Sequence, residues 1–271
     1  MVENYPSPAE GEIPHFSGGK ETPAILVHGF GASHFDWVYL SPELEKRGYQ
    51  VFAPDLVGHG SSNSKAPSSG YTFKMLYEQF AHSINSLQFD RKINLIGHSL
   101  GGLICLYFAL KNPAEVNKLV LINPYYDKSQ LNPFLKYISS NPAPYKKALE
   151  IAPPWLIHLG ISLDIRGQFL YEDHTRKQKA EDISRADPEI VFIIDSIPNI
   201  ENHLSQIQSP ACIVWGTKDL TLNPDSFPSL VEALPHATGK PIQGAGHQPH
   251  LSDVEQVNQI IMDFISTGTR R

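Results

Sequence analysis

Lys92-Ile93-Asn94-Leu95-Ile96-Gly97-His98-Ser99-Leu100-Gly101-Gly102-Leu103 is the stretch that decides the fold. Lys92 to Ile96, short and rich in Ile and Leu, predicts a strand buried on both faces. From Leu103 to Lys111 the chain is apolar nearly all round, which predicts a helix packed under a core sheet. Gly97 to Gly102 must then turn strand into helix. A serine on such a turn projects its oxygen above the carboxyl edge of the sheet, and a Cβ at Gly97 or Gly101 would block the close passage of strand and helix. The helix start adds free N–H groups and positive partial charge where an oxyanion would form. The pattern G-x-S-x-G alone says little, since chance supplies roughly one match per ten chains of this length. Its place between strand and helix carries the weight, and makes Ser99 the candidate nucleophile.

Four more β-rich runs lie outward from this point: Ala24 to His28, Val51 to Asp55, Lys118 to Asn123 and Ala211 to Trp215. Helical stretches separate them. The last helix is expected to open with a capping box, Ser252 and Glu255, and to bury Val254, Val257, Ile261, Phe264 and Ile265. Alternation of this kind predicts an α/β fold, a mostly parallel doubly wound sheet flanked by helices. Two regions interrupt it. Met1 to Glu21 supports only a weak strand near Ile13 to Phe16. Tyr125 to Leu204 carries Pro133, Pro142, Pro144, Pro153, Pro154, Pro188 and Pro198, which permits only short helices separated by breaks. The expected organisation is a core of residues 1–124 and 205–271 with a helical cap inserted at 125–204. Ser61 to Gly70 reads as a Ser-rich loop.

Composition bounds the partners. The 271 residues, 41% apolar and 18% charged, suit a globular core. A formal net charge of -6 and the lack of a basic run argue against nucleic-acid binding and against stable membrane association. No apolar run is long enough to span a bilayer. Met1 to Lys20 lacks a basic segment followed by an apolar one, so no secretory leader and a cytoplasmic location are expected. The two cysteines, Cys105 and Cys212, sit in apolar runs and read as buried thiols.

A serine hydroxyl is a poor nucleophile until a base takes its proton. Among 12 histidines, His247 in Gly244-Ala245-Gly246-His247 lies on a glycine-rich loop before the last helix, with His250 as its local rival. A zinc reading of His247 with His250 lacks a third ligand at recognisable spacing. The imidazole needs a carboxylate to fix its tautomer. Asp219 follows the strand at Ala211 to Trp215, and Asp127 is the rival acid after the preceding strand. Two oxyanion donors are expected: Leu100 N–H, next to the nucleophile, and Phe30 N–H in His28-Gly29-Phe30-Gly31-Ala32-Ser33.

Those blocks, together with Asp55-Leu56-Val57-Gly58-His59-Gly60, Trp215 to Asp219 and Gly244 to Leu251, resemble the α/β-hydrolase fold superfamily, and its serine esterase and lipase branch in particular. The resemblance implies Ser99, Asp219 and His247 as a triad and Phe30 and Leu100 as the oxyanion hole. It also implies a structural role for Asp55 in its loop. The expected activity is acyl transfer to water from a small ester with an apolar acyl or alkyl part. Trp155, Phe134 and Tyr137 are the candidate lining of the substrate chamber. The chemistry requires neither cofactor nor metal. Carbon–carbon bond hydrolysis, perhydrolysis, acyl transfer to an alcohol and a small-ligand receptor remain as alternatives, and oligomeric state is not readable.

Overall fold

The computed structural model describes residues 15–16, 22–62, 70–151 and 171–267. Seven strands form one sheet: β1 (His15–Phe16), β2 (Ala24–Val27), β3 (Val51–Phe52), β4 (Ile93–His98), β5 (Val116–Ile122), β6 (Ala211–Gly216) and β7 (Ala237–Ile242). Their order is β1-β3-β2-β4-β5-β6-β7, antiparallel only between β1 and β3. The chain winds from β2 outward to β3, then returns to place β4 on the other side of β2. The reversal opens a crevice at the carboxyl ends of β2 and β4, where α/β sheets bind their ligands. Ser99 and the loop from His28 leave the sheet at that point.

The inner strands are buried on both faces because helices cover each side. Ile25, Val27, Leu95, Leu119, Leu121 and Ile213 point to a layer built from α2 (Phe73–Ser86), α3 (Leu100–Lys111) and α7 (Ser226–Ala233). Their alternating neighbours, among them Leu26, Ile96, Val120 and Val214, meet Trp37, Leu44, Val257, Ile261 and Ile265 on the opposite side. Leu44 belongs to α1 (Ser41–Lys46), and the last three belong to α9 (Val254–Ser266). Each fully buried side chain of this size contributes about 1.5–3 kcal/mol against exposure. Cys105 and Cys212 are both buried and unpaired with each other.

Between β5 and β6 lie α4 (Pro133–Ser140), α5 (Pro142–Ile151) and α6 (Asp173–Arg185), followed by 3-10 turns at Pro188–Ser196 and Glu201–Gln206. Pro133, Pro142 and Pro188 open their elements, the position where a missing N–H costs nothing. The later part of this segment is not detached. Ile190, Ile193, Ile200 and Leu204 are buried in the same cluster as α2 and α3. Trp155 and most of the Ser-rich loop (63–69) lie outside the described residues.

Several expectations need correction. The capping box at the last helix does not form: Ser252 closes a short helix, α8 (Pro249–Ser252), and its hydroxyl bonds Asp253 at 2.6 Å, while Asp253 is the N-cap of α9. The break at Asp253 follows from its backbone, which is neither helical nor extended (φ -124, ψ 47). β3 pairs only over Val51–Phe52, short of the expected end at Asp55, whose carboxylate instead accepts from His34 and Ser61. β4 and α3 meet directly at Ser99, so the strand runs to His98 and the helix starts at Leu100.

Candidate active site

Ser99 is held in a backbone conformation that few residues adopt. Its φ of 50° is in the left-handed region, at a cost of about 1–3 kcal/mol for a residue with a side chain. Ser99 N–H bonds Ile122 O at 3.0 Å, and Ser99 O accepts from Tyr125 N at 3.0 Å and Gly102 N at 2.9 Å. The sharp turn works only because helix and strand nearly touch. A Cβ on Gly101 would lie 2.0 Å from Val27 O, and one on Gly97 would lie 2.5 Å from Gly101 O. The two glycines are therefore steric requirements of the elbow.

The structure brings Ser99, His247 and Asp219 together. His247 Nε2 lies 3.0 Å from Ser99 Oγ, and His247 Nδ1 lies 2.7 Å from Asp219 Oδ2. A carboxylate only accepts, so Nδ1 carries the proton and Nε2 presents its lone pair to the serine hydroxyl. Asp219 is fully engaged. Its Oδ1 accepts the N–H groups of Thr221 at 2.7 Å and Leu222 at 3.0 Å, and its Oδ2 also accepts the Asn123 amide at 2.7 Å. Burial alone would raise its pKa. His247, the Leu222 N–H and Asn123 outweigh burial and hold the carboxyl below its ordinary range.

Asn123 was not among the residues singled out from sequence. It follows β5 directly with a φ of 40°, takes the Gly216 N–H on its Oδ1 at 3.3 Å, and aims its amide at Asp219. Its position just past a buried strand, on the edge that carries Ser99, was the available signal.

The two rivals are placed elsewhere. Asp127 caps the 3-10 turn Lys128–Gln130 through Ser129 N–H at 2.7 Å. His250 is buried, its ring centroid 5.2 Å from Trp37 and 4.6 Å from His98. Asp55 ties its loop together, accepting from His34 N at 2.7 Å and Ser61 N at 2.7 Å.

Leu100 N–H opens α3, where a helix leaves its first donors without intrahelical partners. Phe30 lies in the turn after β2. That turn is braced by Ala32 N to Gly29 O at 3.3 Å, and by Asp36, whose Oδ2 accepts Gly29 N–H at 3.4 Å. Among the remaining expected residues, Tyr137 is 64% exposed on α4, and the Phe134 side chain lies outside what is described. His98, also missed from sequence, lies behind His247: its Nε2 is 3.0 Å from the His247 carbonyl oxygen.

The described residues contain no helix long and apolar enough to cross a membrane. A family model described as the alpha/beta hydrolase fold matches residues 22–155. The chain is 25% identical to Lipase 1 of Psychrobacter immobilis over 86% of its own length and 74% of that protein. Among solved structures, it resembles a thermophilic esterase from Thermogutta terrifontis, with a TM-score of 0.76 at 23% identity, covering 91% of this chain and 90% of that one. It also resembles a protein from a study of carboxylesterases of the thaumarchaeon Nitrososphaera gargenis, with a TM-score of 0.78 at 20% identity, covering 94% and 93%.

Proposed function

The chain belongs to the α/β-hydrolase fold superfamily, and from that premise we propose that it is a serine hydrolase cleaving carboxylic esters through an acyl-enzyme. The observation that carries the reading is the unbroken chain Asp219–His247–Ser99, at 2.7 and 3.0 Å. His247 Nε2 takes the proton as Ser99 Oγ attacks the ester carbonyl. Asp219 holds the tautomer and stabilises the imidazolium. The N–H groups of Phe30 and Leu100 form the oxyanion hole for the tetrahedral intermediate. His247 then protonates the leaving alcohol. Water, activated by the same nitrogen, releases the acid and restores Ser99.

The substrate is an ester with an apolar acyl or alkyl part, received under a cap that includes α4, α5 and α6. Two large apolar side chains support this. Phe30, in the turn after β2, is 39% exposed, and Leu220, immediately after Asp219, is 55% exposed. Both belong to loops that leave the sheet at the edge that carries Ser99. Exposed groups of this size gain by covering an apolar ligand. The name of the Psychrobacter relative points the same way.

The test is hydrolysis of nitrophenyl esters of increasing chain length by wild type and Ser99→Ala. Wild type is expected to outpace the variant at every length and to favour chains longer than acetyl. A wild type no faster than Ser99→Ala on all esters would refute the reading. Product analysis with added alcohol and peroxide separates hydrolysis from transfer to another nucleophile.

A further inference from the structure

One hydrogen bond of His98 has only one chemically allowed direction. Its Nε2 lies 3.0 Å from the His247 carbonyl oxygen, which can only accept, so Nε2 carries a hydrogen. In a neutral ring the other nitrogen, Nδ1, then bears a lone pair. It faces Asp36 Oδ2 at 3.3 Å, and that oxygen already accepts Gly29 N–H. Two acceptors facing one another at hydrogen-bond distance need a proton or a metal ion between them. A third donor atom stands beside the pair. His250 is only 2% exposed, and among the described residues neither of its ring nitrogens has a hydrogen-bond partner. A buried imidazole left this way loses about 1–3 kcal/mol unless something meets its nitrogen. One ligand atom from each of Asp36, His98 and His250 falls within 4.8 Å of the others, and all three residues are buried.

We propose that Asp36, His98 and His250 form a binding site for a divalent transition-metal ion, of the class represented by Zn²⁺. Two imidazoles and one carboxylate make a donor set suited to zinc, whereas calcium and magnesium require oxygen ligands. Zinc bonds of about 2.0–2.2 Å set tetrahedral donors roughly 3.4 Å apart. Asp36 and His98 already stand at that spacing, and the nearest His250 ligand atom lies within 4.8 Å of both. His98 also has the outer contact expected of a metal-bound imidazole, its second ring N–H donated to a backbone carbonyl. The ligands come from the 3-10 turn His34–Trp37, the end of β4 and α8, so an ion would tie three loops together directly behind His247. Lys179 of α6 is the charge that opposes it, acting on Asp36, His98 and His250 alike.

The site does not depend on the esterase reading, and its test needs no substrate. Metal-free full-length protein is titrated with zinc sulfate against a competing chelator, and thermal stability is followed in parallel. One ion per chain and a raised Tm are expected. Affinity falls by more than about tenfold in His250→Gln and in Asp36→Asn, is retained in His247→Gln, and rises in Lys179→Met. Circular dichroism without zinc establishes that each variant is folded. Failure of wild type to bind at micromolar zinc would overturn the proposal. So would binding that survives His250→Gln but is lost in His247→Gln, because the ion would then sit on the triad. If both ligand variants unfold, Lys179→Met decides: an affinity no higher than wild type contradicts the site.

Discussion

Two histidine–aspartate pairs stand side by side in this molecule, with ring centroids of His247 and His98 only 4.9 Å apart. Each has an imidazole nitrogen on a carboxylate, at 2.7 Å in His247–Asp219 and 3.3 Å in His98–Asp36. They differ in what the other nitrogen meets. His247 Nε2 faces the Ser99 hydroxyl, which has a proton to give up. His98 Nε2 faces an amide carbonyl, which has none. They differ in solvent access too: the His247 side chain is 18% exposed and that of His98 is 2% exposed. Residue type and pairing are thus insufficient to assign catalysis. The atom beyond the second nitrogen decides it.

The largest effects test the His247–Asp219 side of this contrast. Ser99→Ala and His247→Gln are each expected to lower kcat for ester hydrolysis by about 10⁵–10⁶. The loss should appear in initial rates with little change in KM. Activity that persists in His247→Gln would transfer the base elsewhere.

Matched changes in the two acids come next. Asp219→Asn is expected to lower kcat by about 10⁴, because the imidazole loses the partner that sets its tautomer. Asp36→Asn touches no reacting atom and should cost kcat about tenfold or less. If the kinetic effects of the two substitutions were reversed, the assignment of the pairs would be reversed as well.

Smaller still is Asn123→Ala. It removes one of four hydrogen bonds to the Asp219 carboxylate, a bond to a charged group that contributes about 1.5–3 kcal/mol. kcat should fall roughly 10- to 100-fold, with the acid limb of the rate profile moving as Asp219 protonates more easily. An unchanged kcat would make Asn123 a purely structural strand end.

The strands and the elbow were legible in the sequence wherever burial was complete. β2, β4, β5 and β6 are covered on both faces, so their apolar runs announce them. β7 is not. It is an edge strand with alternating exposure and residues such as Thr238 and Lys240, so its composition carries little strand signal. Ser99, Asp219 and His247 each follow a strand at the same sheet edge, which is why chain order alone could single them out. Asp36, His98 and His250 escaped for the opposite reason. They come from a 3-10 turn, the last residue of a strand and a four-residue helix, and no local spacing relates them. The prolines of 125–204 were legible as boundaries: Pro133, Pro142 and Pro188 each open a short element.

A third buried histidine offers the mildest test. His59 is enclosed near Phe30, and its Nδ1–H donates to Val57 O at 3.0 Å. Burial, reinforced by His28, lowers its pKa to about 3. Between the ordinary value near 6.5 and about 3, the unfolded chain holds a proton that the folded chain refuses. Stability contributed by the neutral ring is therefore complete above 6.5 and is lost as pH falls toward 3, by at most about 1.4 kcal/mol per pH unit. Urea midpoints measured through this range should fall less steeply in His59→Gln. An identical slope would mean that His59 titrates normally.

The central claim is that Ser99 is a nucleophile made reactive by His247 and Asp219. Its most direct test is covalent trapping with a fluorophosphonate, read by peptide mass spectrometry. One adduct per chain is expected, on the peptide that contains Ser99, formed far more slowly in His247→Gln and absent in Ser99→Ala. An adduct on another residue, or equal labelling of wild type and His247→Gln, would contradict the account.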